Sequence, residues 1–116
     1  MTQLPEQKCV SCTDSLPTAT VEEIDRYKSQ VPDWNLITEN GELRLQRVYK
    51  FPNFKTALEF TNQIGAIAEA EGHHPALLTE WGKVTVTWWT LAINGLHHND
   101  FIMAAKSNAV MNKVSN

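Results

Sequence analysis

The feature that most constrains this chain is a bracketed helical stretch at its centre. Phe54, Ala57, Leu58, Thr61, Ile64, Gly65 and Ala68 recur at i, i+3, i+4, i+7, i+10, i+11 and i+14. That spacing gathers apolar and small side chains on one face of an α-helix. Asn53 stands where an N-cap accepts backbone N–H groups, and Gly72 where a left-handed residue ends a helix. A helix of this kind must bury its stripe against another element, and the flanking sequence offers strands on both sides.

Upstream, Trp34-Asn35-Leu36-Ile37-Thr38 reads as a strand, Glu39-Asn40-Gly41 as a turn with the Asn-Gly hairpin signal, and Glu42 to Phe51 as the return strand. Leu43, Leu45, Arg47 and Tyr49 share one parity of that return strand; Arg44, Gln46, Val48 and Lys50 share the other. One buried face and one more polar face follow. Downstream, Leu77 to Trp81, a turn at Gly82, and Lys83 to Thr90 make a second hairpin, with Val84, Val86 and Trp88 opposite Thr85, Thr87 and Trp89. Thr20 with Glu23 forms a capping-box pattern for a short helix that ends before Pro32. A last helix starts near His97 to Asn99 and turns Phe101, Ala104, Ala105 and Val110 or Met111 toward the core.

The expected order is therefore α-β-β-α-β-β-α. Strands joined by short turns pair antiparallel, and helices that follow each hairpin bury their stripes together only on one face of the sheet. The fold class is α+β, a four-stranded antiparallel sheet with helices on one face. The other face is left to solvent or to oligomerisation.

At 116 residues the chain holds one domain with a core. Ten basic against 13 acidic residues give a net charge of -3, and no Lys or Arg run offers a track for phosphates, so nucleic acid is not an expected direct ligand. No signal-peptide pattern and no apolar run of about 20 residues occurs, so a soluble, cytoplasmic protein with no membrane partner is expected. Residues 1–18 read as a flexible arm, and residues 19–116 as the folded domain. The arm carries Cys9 and Cys12, a C-x2-C pair with no second pair to complete a structural zinc site. Reduced thiols are the favoured reading, ahead of a redox or inter-chain role and of a metal completed by distant histidines.

Chemistry concentrates in Glu69-Ala70-Glu71-Gly72-His73-His74-Pro75. Imidazole gives or takes a proton near neutrality, and Pro75 biases His74 toward an extended conformation in which neighbouring side chains diverge. His73 and His74 should therefore do different jobs. A helix ending at Gly72 would leave Glu69 in its last turn, beside both histidines. Each feature has a plainer reading. A His-His pair can be a surface turn, Glu69 solvated helix surface, and Asp100 a first-turn carboxylate favoured by the helix dipole. His97 and His98 read first as helix-start residues, with the alternative that one of them reaches into a site. Neither histidine pair has the i, i+4 spacing of a helical metal motif. Trp81, Trp88 and Trp89 fit core or oligomer packing better than stacking on a planar ligand.

Glu69-x3-His73-His74-Pro75, then Val84-x-Val86, Thr90, Gly95-Leu96 and Asp100, resembles the signature of the pterin-4a-carbinolamine dehydratase family. Trp34, Phe51, Phe54, Ala57, Phe60 and Ala68-Glu69 extend the resemblance over residues 20 to 113. The resemblance implies dehydration of a 4a-hydroxytetrahydropterin to the quinonoid dihydropterin, with no metal or redox cofactor. It also implies a homodimer or homotetramer and a functional link to phenylalanine hydroxylase. By position, it carries catalytic roles to His73, His74, Asp100 and Glu69. Pterin contacts fall to His73, His74, Pro75, Thr90, Leu91, Ala92 and Ile93. The family has Thr-His where this chain has Thr90-Leu91, which implies reduced turnover because leucine cannot exchange a proton. The rival expectation is a catalytically weak module that binds pterin or a regulatory protein partner.

Overall fold

The computed structural model describes Leu4 and residues 19–90 and 95–114. Seven elements follow in the expected order: α1 (Val21–Lys28), β1 (Asn35–Glu39), β2 (Glu42–Lys50), α2 (Phe54–Glu71), β3 (Ala76–Glu80), β4 (Lys83–Trp88) and α3 (His98–Val114). Local chemistry sets most of their ends. Thr20 and Glu23 cap α1 reciprocally, Glu23 N–H donating to Thr20 Oγ1 at 3.1 Å and Thr20 N–H to Glu23 Oε1 at 2.9 Å. Asn53 Oδ1 accepts from Thr56 N–H at 2.8 Å at the start of α2. Asn40 and Gly41 have φ of 54° and 78°, the positive pair that a two-residue hairpin turn requires.

The sheet is antiparallel with strand order β1-β2-β4-β3, so the two hairpins meet along their long strands. Leu45 pairs with Trp88, Arg47 with Val86 and Tyr49 with Val84 across that seam. This register puts Leu45, Tyr49, Val84, Val86 and Trp88 on one face, where α2 and α3 cover them. Gln46, Val48, Thr85, Thr87 and Leu78 lie on the other face, which carries no helix among the described residues. Leu4 is also fully buried in the core, while Cys9 and Cys12 lie outside the described residues.

Several sequence expectations shift. The buried line of α2 is Ala57, Phe60, Ile64 and Ala68, whereas Phe54 and Leu58 are exposed. The reason is aromatic packing: the Phe60 ring lies 4.7 Å from the Tyr49 ring and 5.2 Å from the Phe51 ring, centroid to centroid. Burying a phenylalanine contributes about 1.5–3 kcal/mol, enough to fix the rotation of the helix about that residue. β3 begins and ends one residue earlier than expected, β2 ends at Lys50 and β4 at Trp88, while Thr90 returns in an isolated bridge with Gly95. On α3 every residue from Asn99 to Ala105 is buried, because the helix lies against the sheet, α2 and α1 together.

A polar cluster ties β2 to α3. Asn108 Oδ1 accepts from Trp34 Nε1 at 3.0 Å, from an Arg47 guanidinium N–H at 2.7 Å, and from the Tyr49 hydroxyl. Arg47 thereby sits on the covered face without leaving its charge unpaired, since Asp33 lies 3.7 Å away.

Candidate active site

The end of α2 delivers the two histidines to different places. Gly72 adopts φ 66°, and the N–H of His73 returns to the Ala68 carbonyl at 3.1 Å, so the chain turns sharply out of the helix. His73 is turned inward and is 4% exposed, whereas the His74 side chain is 61% exposed. Each imidazole then meets its own carboxylate. His73 Nε2 lies 2.6 Å from Asp100 Oδ1, and His74 Nε2 lies 2.7 Å from Glu69 Oε1.

Asp100 is fully buried and is the hub of the inner cluster. Its Oδ2 accepts from the Thr90 hydroxyl at 2.8 Å and from the His97 backbone N–H at 2.9 Å. An ionised carboxylate only accepts, so the His73 proton toward Asp100 resides on Nε2. The Thr90 backbone is fixed in turn by its bridge to Gly95, with Thr90 N–H donating to the Gly95 carbonyl at 2.8 Å. The plane of the His73 ring is set by Trp88, whose ring lies parallel within 7° at 5.7 Å. Trp88 is held by its indole N–H on Ser107 Oγ at 3.1 Å, and Ser107 Oγ donates to the Met103 carbonyl at 2.8 Å.

The start of α3 adds two more imidazoles. Asn99 N–H donates to His97 Nδ1 at 3.1 Å, so His97 caps the helix while Asp100 caps the His97 backbone. Burial holds the His97 pKa below the usual histidine value, with Asp100 and Glu23 opposing and His73 adding to the shift. His98 stacks on Tyr27 at 4.4 Å and 8°, and its pKa is lowered by burial first and by the His97 charge second. The arrangement therefore offers one exposed imidazole oriented by a carboxylate and, beside it, a buried one fixed in plane and tautomer. The exposed pair is suited to proton exchange with a ligand, and the buried pair to positioning.

The family model described as pterin 4 alpha carbinolamine dehydratase matches residues 17–110. This chain belongs to the pterin-4a-carbinolamine dehydratase family. A protein of Syntrophotalea carbinolica is 57% identical over 111 residues, covering 96% of this chain and 99% of its own. Proteins of Chlorobium limicola, 51% identical across 95% of this chain and 97% of their own length, and of Microcystis aeruginosa, 54% identical across 95% of each, are similar too. All three are provisionally named pterin-4-alpha-carbinolamine dehydratases. A solved structure from Brucella melitensis, described as a transcriptional coactivator/pterin dehydratase, superposes with a TM-score of 0.73 at 31% identity. It covers 81% of this chain and 98% of its own.

Within this dehydratase-family fold, His73, Thr90 and Asp100 converge on one cluster and His74 and Glu69 form a second, with half-buried Pro75 following His74. Leu91, Ala92 and Ile93 lie outside the described residues. Sequence reasoning did not find the support given to His73 by Trp88 and Ser107, nor the capping link from His97 to Asp100. The spacing of His97 and Asp100, an N-cap position and the third residue beyond it, was the available signal for the second.

Proposed function

We propose that this chain is a hydro-lyase that dehydrates a 4a-hydroxytetrahydropterin to the quinonoid dihydropterin, regenerating the pterin used by an aromatic amino-acid hydroxylase such as phenylalanine hydroxylase. The observation that carries the reading is the placement of adjacent histidines against separate carboxylates, one exposed and one buried, in a chain of this family. Loss of water needs a proton delivered to the departing hydroxyl and one taken from a ring nitrogen. His74, oriented by Glu69, is the exchanging group; His73, fixed by Asp100 and Trp88, shapes the site beside it. Thr90, Pro75 and the backbone of Leu91 to Ile93 hold the pterin. Leu91 contributes no proton-transfer group, and the turnover rate is lower for it.

The test is the rate of dehydration of a freshly generated 4a-hydroxytetrahydropterin with and without the protein. Acceleration is expected, and Leu91→His should raise kcat by about 10²-fold or more with little change in affinity. No acceleration despite dihydropterin binding would move the reading to a pterin-binding regulatory module, the alternative suggested by the Brucella melitensis coactivator description. The absence of both turnover and binding would overturn it.

A further inference from the structure

We propose that His97 is a pterin-binding residue, a neutral imidazole locked as an Nε2–H donor toward a carbonyl or ring-nitrogen acceptor of the ligand. The inference rests on the dehydratase reading of the site and assigns a group to it from the geometry at the start of α3.

Two hydrogen bonds fix this residue. Its backbone N–H is bound to Asp100 Oδ2 at 2.9 Å, the same oxygen that accepts from Thr90, so its backbone is part of the inner cluster. Its Nδ1 accepts from Asn99 N–H at 3.1 Å. A nitrogen that accepts carries no proton, so the proton of the neutral ring lies on Nε2. Protonating Nδ1 would break the cap and place a cation at the positive end of a helix 17 residues long. Burial favours the same neutral form, and the charged or titratable groups coupled to it are Asp100, His73, the neighbouring His98 and, from α1, Glu23.

Capping alone explains the Nδ1 contact but not the ring. Serine or asparagine caps as well with a smaller side chain. The imidazole adds a second nitrogen, and among the described residues Nε2 has no hydrogen-bond partner. The His97 ring is half-buried, its backbone is bonded to Asp100, and it is close enough to His73 and Asp100 for their charges to act on it, so the ring stands at the edge of the cluster. A neutral N–H is a poor proton donor but a good hydrogen-bond donor. It fits an acceptor lone pair on a planar heterocycle and leaves proton exchange to His74.

His97→Ser tests this, because serine retains the cap and the backbone bond to Asp100. The full-length variant should keep its melting temperature and bind 7,8-dihydropterin about threefold to tenfold more weakly, the worth of one neutral hydrogen bond. In turnover, KM should rise by more than kcat falls. In the unsubstituted protein at neutral pH, nitrogen-15 spectra should show His97 as the Nε2–H tautomer, with its Nε2 signal moving when dihydropterin is added. Unchanged affinity in His97→Ser, or an Nε2 signal indifferent to a dihydropterin that demonstrably binds, would overturn the inference while leaving the dehydratase reading standing. If dihydropterin does not bind and no turnover is seen, both fall.

Discussion

His73 Nε2 lies 2.6 Å from Asp100 Oδ1, and neither group reaches solvent to any useful extent. The other oxygen of Asp100 is occupied by two donors, Thr90 and the His97 N–H. Asp100→Asn should therefore fold with its remaining carbonyl toward those two donors and its amide N–H toward His73. An amide donor requires an acceptor, so the His73 proton should move from Nε2 to Nδ1. Nitrogen-15 spectra of the histidine rings read this directly. A His73 still protonated at Nε2 in the variant would show that Asp100 does not set the tautomer.

The same geometry separates the two histidines experimentally. His73→Ala leaves a buried carboxylate short of one partner and removes a stacked ring from Trp88, which should cost about 2–4 kcal/mol in urea denaturation. His74→Ala removes an exposed ring and should change stability by less than about 0.5 kcal/mol. Its loss should be in rate, by about 10²-fold or more, if His74 exchanges the proton. Equal stability losses for the two variants would contradict the inward and outward assignment.

Local chemistry was the legible part of this chain. Thr20 with Glu23, Asn53, Asn40-Gly41 and Gly72 each act within three or four residues, and all are found in the expected roles. Alternation also placed Val84, Val86 and Trp88 together on the covered face. What depended on distant partners was not legible. The rotation of α2 follows from Phe60 meeting Tyr49 and Phe51, and the buried parity of Arg47 from Asn108, 61 residues away. Asp100 is a first-turn carboxylate, as its position suggested, yet it also meets Thr90 and His73, which lie 10 and 27 residues away. A sequence read locally shows the cap and not the hub.

Acid should weaken the domain through its second histidine pair. His98 is stacked on Tyr27, its Nε2 is buried with no hydrogen-bond partner among the described residues, and burial followed by the His97 charge depresses its pKa; Glu23 opposes and Arg26 adds. His97 is lowered in the same direction. A depressed histidine pKa means the unfolded chain binds protons first, so this stabilisation is complete above about pH 6.5 and is lost as pH falls toward the folded value. The urea midpoint should decline between neutral pH and the onset of carboxylate titration. His98→Phe, which keeps a ring against Tyr27 and cannot titrate, should flatten that decline, and an unchanged slope would remove His98 as its source.

The sheet face without helices should assemble the protein into an oligomer. Val48, Thr85 and Leu78 form one row across three strands, through the pairs Val48 with Thr85 and Leu78 with Thr85. Val48, on an inner strand, is 46% exposed and Leu78, midway along the edge strand β3, is 57% exposed, so the row presents two large aliphatic side chains to its surroundings. Gln46 crosses to Thr87 at 3.1 Å and Arg44 lies 4.0 Å over Trp89 on one side of that row, and Lys50, Lys83 and Glu80 line up on the other, so both flanks are polar or charged. An apolar strip with a polar rim is the usual composition of a protein interface. Light scattering at micromolar concentration should report a dimer or larger species, and Val48→Lys with Leu78→Lys should shift it toward the monomer. Both changes lie away from the histidine clusters, so the far-ultraviolet spectrum should be retained. A monomer before any substitution would rule out this use of the face, and an oligomer indifferent to both lysines would place the contact elsewhere.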